Sequence, residues 1–212
     1  MVVHLSTQAT PSPTPTRGIH RLRSAYVLFV VVALVLGALV WATALRGNDA
    51  ATQAAACPVP PAAEDAGLRD QPADALDGVE PALLDETRVR VLNANGQSGQ
   101  AGAVAAQLAE RGFQPAGSNA IGNDPIYGPA LECHGQIRYG DAGQAAARSL
   151  SLAAPCMQLV RDGREDNTVD LALGTIFSRL SDSTEAVGAL DELEVGRQPI
   201  SAELDAARMV SC

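Results

Sequence analysis

The stretch RVRVLNANGQSG, residues 88–99, decides the fold of this chain. Residues 88–93 alternate β-branched and polar side chains, the period-two pattern typical of a strand. A polar loop, residues 94–98, follows. Apolar side chains then recur at helical spacing at positions 101, 104, 105 and 108, until Gly112 supplies a residue common at helix C-termini. The stretch therefore predicts a strand, a glycine-rich turn and a helix.

Two further strands and a second helix are predicted after this unit. Residues 113–116 and 136–139 have strand character, and an ordered loop at 118–131 separates them. Asp141 and Gln144 have the spacing of a capping box, which predicts a helix that ends before Pro155.

The last part of the chain predicts a hairpin and two helices. Residues 157–161 and 168–173 alternate around a polar turn, the pattern of a β-hairpin. Apolar residues then recur at helical intervals in 176–193 and 202–210. The predicted fold class is α/β: a small mixed-sheet domain with helices packed on it and a helical C-terminal tail.

A membrane anchor is predicted before this domain. Residues 25–45 contain no charge, and 21 helical residues at about 1.5 Å each match the hydrocarbon core of a bilayer. Arg17, Arg21 and Arg23 precede the run, which places the N-terminus in the cytosol and the C-terminal domain outside the cell. Two alternatives stay open: cleavage as a signal peptide near residues 42–44, and lipidation of Cys57.

The sequence predicts five segments. They are a disordered cytosolic tail at 1–24, a single-pass transmembrane signal anchor at 25–45, a Pro/Ala-rich stalk at 46–86, an α/β domain at 87–177 and a helical C-terminal extension at 178–212.

The exported part is strongly acidic. Beyond Arg46, 24 acidic residues outnumber 11 arginines by 13, and the chain contains no lysine. Binding to nucleic acid depends on cations that replace its counterions, so nucleic acid is excluded as the expected ligand. Phosphate-rich polymers are disfavoured for the same reason, unless a local arginine site opposes the global charge.

The four cysteines are expected to form disulfides, because all of them lie on the exported side. Three pairings are possible. Cys133–Cys156 with Cys57–Cys212 is favoured, since the first pair flanks one strand-helix unit and the second ties the ends of the domain together. No close cysteine pair suggests zinc, so no metal is expected.

Catalytic patterns are absent from the sequence of the exported part. His134 is its one histidine, which rules out a site with two histidines, and neither a metalloprotease nor a hydrolase motif occurs. Asp162, Glu165 and Asp166 form an acidic cluster, but Arg164 lies among them and a solvated turn explains them. We expect no catalytic residue and no cofactor.

The glycine-rich turn is the candidate ligand site. Gly96 and Gly99 lie between strand and helix, where backbone N–H groups can receive an anionic or sugar-linked group. Asn93 and Asn95 would expose their side chains there, with Arg90 and Arg138 as partners for a negative group. The alternative is structural: Gly96 permits the turn, Ser98 caps the helix and Gly102 packs on the sheet.

Several motifs in register resemble the LytR C-terminal domain family. They are residues 89–99 with the Ala-rich helix and Arg111-Gly112-Phe113, then residues 137–140, the Ala-rich helix before Pro155, and residues 168–174 with Phe177. The resemblance covers residues 88–177. In that family the module often follows a LytR-CpsA-Psr phosphotransferase domain, for which residues 46–86 leave no room. The resemblance therefore implies an accessory envelope role and assigns no catalytic residue.

The functional hypothesis is a membrane-anchored, non-catalytic protein that supports envelope integrity. Its expected partners are a cell-wall polymer or envelope-assembly proteins such as LytR-CpsA-Psr ligases, with the membrane contacted through residues 25–45. The alternative is an enzyme that acts on a cell-wall polymer precursor with Asp170 or the acidic cluster. A third possibility is a spacer that oligomerises through its C-terminal helices.

Overall fold

The computed structural model describes residues 26–37, 57–58, 60, 63 and 65–208. The chain divides into two units, Met1–Asp49 and Ala50–Cys212. In the first unit, residues 26–37 form a helix with exposed side chains. Within the described residues, no helix has both the length and the apolar character needed to cross a membrane. The rest of the predicted anchor, the predicted tail and the proposed cleavage site lie outside the described residues, so the anchor stays a prediction.

A mixed seven-stranded sheet forms the centre of the second unit. Its strands are β1 (Arg69–Asp70), β2 (Arg88–Asn93), β3 (Gln114–Pro115), β4 (Ile121–Asn123), β5 (Gly135–Tyr139), β6 (Gln158–Arg161) and β7 (Val169–Leu173). The order across the sheet is β1-β6-β5-β7-β2-β3, and β4 also pairs with β2. β5 runs parallel to β6 and antiparallel to β7, while β2 is parallel to β7, β3 and β4. The predicted α/β class with a mixed sheet is confirmed.

The predicted hairpin is wrong, because β5 lies between β6 and β7. Residues 162–168 connect the two strands past the end of β5, and the backbone N–H of Asp162 donates to the carbonyl of Tyr139 there, at 2.9 Å. Strand alternation identifies each strand, but it carries no information about a third strand inserted from earlier in the chain.

Among the described residues of the second unit, four α-helices have defined bounds: α1 (Gln100–Glu110), α2 (Gln144–Ala153), α3 (Thr184–Glu194) and α4 (Ser201–Arg208). α1 ends as predicted before Gly112, whose φ of 96° is costly for residues with a β-carbon. Ser183 is the N-cap of α3, and its hydroxyl accepts a hydrogen bond from the N–H of Ala186 at 3.2 Å. The helical character predicted for the C-terminal extension is confirmed for these two segments.

Two local predictions differ from the structure. Residues 118–131 contain the short strand β4 in place of an uninterrupted loop. α2 begins only after a 3-10 turn at Asp141–Gly143, and no side chain caps it. Gln144 Nε2 donates to the backbone oxygen of Asp141, at 3.1 Å, so the capping box does not form.

The two faces of the sheet have different chemistry. Val91, Leu171 and Ile137 lie in register on one face, within a core that also contains Leu108 of α1 and Leu190 of α3. Because side chains alternate along a strand, the neighbouring positions face the other way. That second face carries a row of three charged residues in register, Arg90, Asp170 and Arg138.

A second apolar cluster covers the end of the charged face. Leu92 and Ala172 lie in register there. Their cluster also contains Cys57, Ala63, Tyr127, Leu131 and Cys133. The charged row is thus bounded on one side by a cluster that Cys57, Ala63 and the segment 127–133 build together.

Part of the predicted stalk belongs to the folded unit. β1 pairs with β6, and Leu76 and Leu84 are 1% exposed within the main core. Pro72 and Pro81 disfavour a long helix in this segment without preventing burial of these leucines. The stalk prediction is therefore wrong for residues 68–86, and residues 46–56 lie outside the described part of the chain.

Candidate functional site

An arginine and aspartate cluster lies on the charged face of the sheet. Arg90 of β2 donates from Nε and Nη2 to the two carboxylate oxygens of Asp170 on β7, at 2.9 and 2.5 Å. Arg164 reaches the same carboxylate from the 162–168 loop, at 3.0 and 2.7 Å. Arg164 also pairs with Asp162 at 2.6 Å. One buried carboxylate therefore holds two guanidinium groups that come from distant parts of the sequence.

The cluster keeps Asp170 ionised. Burial is the largest influence on this carboxyl and raises its pKa, but the hydrogen bonds and charges of Arg164 and Arg90 outweigh it and lower the pKa below the usual value. For Arg164, burial alone would lower the pKa of the guanidinium. The hydrogen bonds and charges of Asp170 and Asp162 outweigh burial, so the pKa of Arg164 is raised. The hydrogen bond with Asp170 raises the pKa of Arg90. All three groups stay charged at neutral pH.

This cluster forms the wall of an open cleft of about 690 Å³, which we call the arginine groove. Its polar lining consists of Arg90, Ser118, Asn119, Asp162, Arg164, Asp166 and Thr168. The side chain of Arg90 is 41% exposed, and its Nη1 has no hydrogen-bond partner among the described residues. Arg90 therefore presents a free donor to the groove while Asp170 holds the guanidinium in place.

Arg138 does not line the groove, although it was predicted to act with Arg90. Its side chain is 2% exposed and pairs with the buried carboxylate of Asp124 at 2.7 Å. Its guanidinium carbon lies 5.4 Å from the centre of the Tyr127 ring, and Nε donates to Gln136 Oε1 at 2.9 Å. The segment that contains Asp124 and Tyr127 thus closes over Arg138.

The asparagines of the glycine-rich loop form hydrogen bonds within the protein. Asn93 Nδ2 donates to the carbonyl of Gln97 at 2.9 Å. Asn95 Nδ2 donates to the carbonyl of Gly174 at 2.9 Å and to Gln100 Oε1 at 2.5 Å, and its Oδ1 accepts from the N–H of Gln97 at 2.9 Å. These bonds join the loop to the end of β7.

The glycines of the same loop provide its backbone geometry. Gly96 and Gly99 have φ values of 74° and 82°. Gly99 is the N-cap of α1, so the predicted cap at Ser98 does not form, and a β-carbon on Gly102 would meet open space. A cleft of about 380 Å³ adjoins the loop, lined by Asn93, Gly96, Ser98, Asn123, Gly128 and Pro129. The predicted ligand site is therefore a surface cleft in which Asn93 is already bonded to the backbone of its own loop.

The favoured disulfide pairing is wrong, because Cys57 is bonded to Cys133. Their Cα atoms are 5.0 Å apart, and both residues lie in the apolar cluster at the end of the charged face. Cys57 was predicted to belong to the stalk, but it packs against Leu92 and Ala172 of the sheet. Cys156 is also disulfide-bonded, and Cys212 lies outside the described residues.

His134 lies in another cavity. This cavity has a volume of about 310 Å³ and is lined by His134, Phe177 and Ser181 among others. The Nδ1 atom of His134 is buried and has no hydrogen-bond partner among the described residues. Among the described residues, no histidine lines the arginine groove, so none of them supplies an imidazole base there.

One feature of the sequence indicates the pairing of Arg90 with Asp170, but no prediction used it. Arg90 and Asp170 have opposite charges at equivalent positions of two strands, each between β-branched or aliphatic neighbours. Opposite charges on paired strands attract across the sheet. The pairing of β2 with β7, which would have joined these residues, was not among the predictions.

Comparison with known proteins places the chain in a family. The family model described as LytR cell envelope-related transcriptional attenuator matches residues 86–177. The cell envelope integrity protein Cei of Mycobacterium tuberculosis (strain ATCC 25618 / H37Rv) is 42% identical over 185 residues, which cover 83% of each chain. The crystal structure of the soluble domain of a conserved hypothetical secreted protein from Mycobacterium marinum matches with a TM-score of 0.63 and 41% identity, over 68% of this chain and 97% of that one. The resemblance inferred from sequence motifs is confirmed, and the chain belongs to the family of the cell envelope integrity protein Cei, with a LytR C-terminal domain at residues 86–177.

Proposed function

We propose that this chain is a single-pass membrane protein whose α/β domain lies outside the cell and binds an envelope component in the arginine groove. The ligand is a cell-wall polymer or an envelope-assembly protein such as a LytR-CpsA-Psr ligase. The name of the relative Cei and the family description, both of which refer to the cell envelope, support this role. The apolar run at 25–45 and the secreted character stated for the M. marinum protein support the location.

The main support for a binding site in the groove is Arg90 Nη1, a donor that has no partner among the described residues. A guanidinium fixed by one carboxylate and open on its remaining side is preorganised, so a ligand that reaches Nη1 loses little side-chain entropy to it. The groove is also open to solvent along this side chain, which is 41% exposed.

Binding without chemical conversion fits the carboxylates of the groove better than catalysis. A general acid or base works best when its pKa lies near the operating pH. Arg90 and Arg164 lower the pKa of Asp170 and occupy both of its oxygens, and Arg164 occupies Asp162. The alternative, an enzyme that uses Asp170 on a wall precursor, would have to break these pairs first.

In-cell photocrosslinking tests the proposal. A photoreactive amino acid replaces Asn119, which is exposed in the groove, in the full-length protein. Gln107, exposed on α1 outside the groove, is the matched control position. We expect an envelope polymer or envelope protein to be captured from position 119, not from 107, and to be lost when Arg90→Gln is added. Equal capture from both positions, or none from 119, would refute binding in the groove.

A further inference from the structure

We infer that the arginine groove takes a neutral, polyhydroxylated glycan segment and rejects phosphate- or carboxylate-bearing polymers. This inference rests on the proposed function, namely that the groove binds an envelope component, and it names the chemical class of that component.

The lining of the groove contains both hydrogen-bond donors and acceptors. Arg90 Nη1 is a donor that has no partner among the described residues. Asp166 accepts from Thr168 through Oδ1 alone, so its Oδ2 is a free acceptor among the described residues. Ser118 and Asn119 are exposed and add a hydroxyl and an amide, each of which donates and accepts.

A sugar hydroxyl is suited to such a mixed surface. Each hydroxyl donates one hydrogen bond and accepts others, so a polyhydroxylated segment can pair both with the donor of Arg90 and with the acceptor of Asp166. A phosphate or carboxylate only accepts, and it would leave the Asp166 carboxylate without a donor while facing its charge.

The local charge leads to the same conclusion. The groove lining contains Arg90, Arg164, Asp162 and Asp166, and the buried Asp170 pairs with both arginines from behind. These two arginines and three aspartates sum to one net negative charge. Hydrogen bonds from Thr168 lower the pKa of Asp166, which stays ionised at neutral pH. Acidic residues also exceed arginines by 13 beyond Arg46, so no long-range attraction for a polyanion compensates for this local charge.

The volume of the groove allows an oligosaccharide segment. A cleft of about 690 Å³ lies within the range that holds small organic ligands. No aromatic residue lines the groove among the described residues, so sugar rings are held by hydrogen bonds and not by stacking. We therefore expect a weak interaction per site that strengthens on a polymer with repeated epitopes.

The test compares polymers of different charge. Full-length protein in nanodiscs is assayed by affinity electrophoresis in gels that contain a neutral glucan, mannan or galactan, and in parallel gels with polygalacturonate or poly(glycerol phosphate). We expect retardation by at least one neutral glycan, unchanged between low and high salt. Arg90→Gln and Asp166→Asn should each weaken it about tenfold, the effect of losing one charged hydrogen bond.

Glu165→Gln is the matched control for Asp166→Asn. Glu165 is exposed on the same loop and does not line the groove, so the charge change is identical while binding should be retained. Thermal unfolding of each variant identifies loss of fold. Asp166→Asn keeps the test decisive if Arg90→Gln unfolds, because the Asp166 side chain bonds only to the nearby Thr168 among the described residues.

The other outcomes separate this inference from the proposed function. Arg90-dependent, salt-sensitive retardation by the polyanions alone would overturn the glycan inference and leave envelope binding in place. Retardation by no polymer, together with capture of an envelope protein from position 119, would do the same. No retardation and no capture would overturn both.

Discussion

The carbonyl oxygen of Arg164 occupies the space that a β-carbon on Gly140 would fill. Gly140 follows β5, and the 162–168 loop crosses it on its way from β6 to β7. The backbone of Gly140, with φ −90° and ψ −177°, is open to any residue. This glycine is therefore required by space and not by conformation, and it allows the loop to deliver Arg164 to Asp170.

We expect Gly140→Ala to destabilise the domain by about 1 to 3 kcal/mol, the usual effect of overpacking a tight site. The added methyl group would push the 162–168 loop from the sheet and disturb the pairing of Arg164 with Asp170. Urea unfolding measures the change. Gly163→Ala is the control, because a β-carbon there meets nothing within 4 Å. Equal stability of the two variants would contradict the tight crossing.

The local elements were predictable because their signals are contiguous. Residues 88–112 predicted β2, α1 and its C-terminus, and Gln136 to Tyr139 predicted most of β5. The order of the strands was not predictable in the same way. The insertion of β5 between β6 and β7 depends on tertiary packing, which alternation within one segment does not report.

Removing the shared carboxylate should reveal the structural role of the arginine cluster. We expect Asp170→Asn to lower the free energy of unfolding by about 3 kcal/mol, because Arg90 and Arg164 would both lose their buried ionic partner. Urea unfolding at neutral pH measures the loss. Asp166→Asn removes an equal charge from an exposed residue and should change stability by less than about 0.5 kcal/mol. An unchanged stability of Asp170→Asn would contradict the ion pairs.

The same carboxylate predicts acid sensitivity. The pKa of Asp170 is lower in the folded state than the value of about 3.9 for an unfolded aspartate. Its contribution is therefore present above pH 4 and is lost as the pH falls through the folded pKa. We expect the free energy of unfolding, measured at pH 7, 5 and 3, to decrease between pH 5 and pH 3. The decrease should be smaller in Asp170→Asn than in the unchanged protein. If the free energy of unfolding depended on pH in the same way in both proteins, Asp170 would not be the source of the acid sensitivity.

The Cys57–Cys133 bond closes a long loop and should stabilise the domain strongly. For a sequence separation of 76, the chain-entropy model gives about 4.5 kcal/mol. We expect the double variant Cys57→Ala, Cys133→Ala to lose an amount of this order in urea unfolding. Peptide mapping without reduction checks the bond itself: a peptide that joins Cys133 to Cys156 would contradict the structure.

The predicted ligand site was only partly accessible from the sequence. Gly96 and Gly99 do form the turn, and Arg90 does face an open groove, but the two features belong to different clefts. The orientation of a loop side chain depends on its hydrogen-bond partner, which can be a carbonyl far away in the sequence. For Asn95 that group is the carbonyl of Gly174, 79 residues away.

We therefore expect Asn95 to contribute to the stability of the loop and not to ligand binding. We expect Asn95→Ala to cost about 1 kcal/mol, because the carbonyl of Gly174 loses one of its two donors and the exposed N–H of Gln97 loses its acceptor. Asn123→Ala is the control, since Asn123 is exposed on β4 and also borders the cleft beside the loop. Urea unfolding of the two variants distinguishes the roles. If Asn95→Ala kept full stability and lost envelope binding, the side chain would be a ligand contact and the hydrogen bonds within the loop would be incidental.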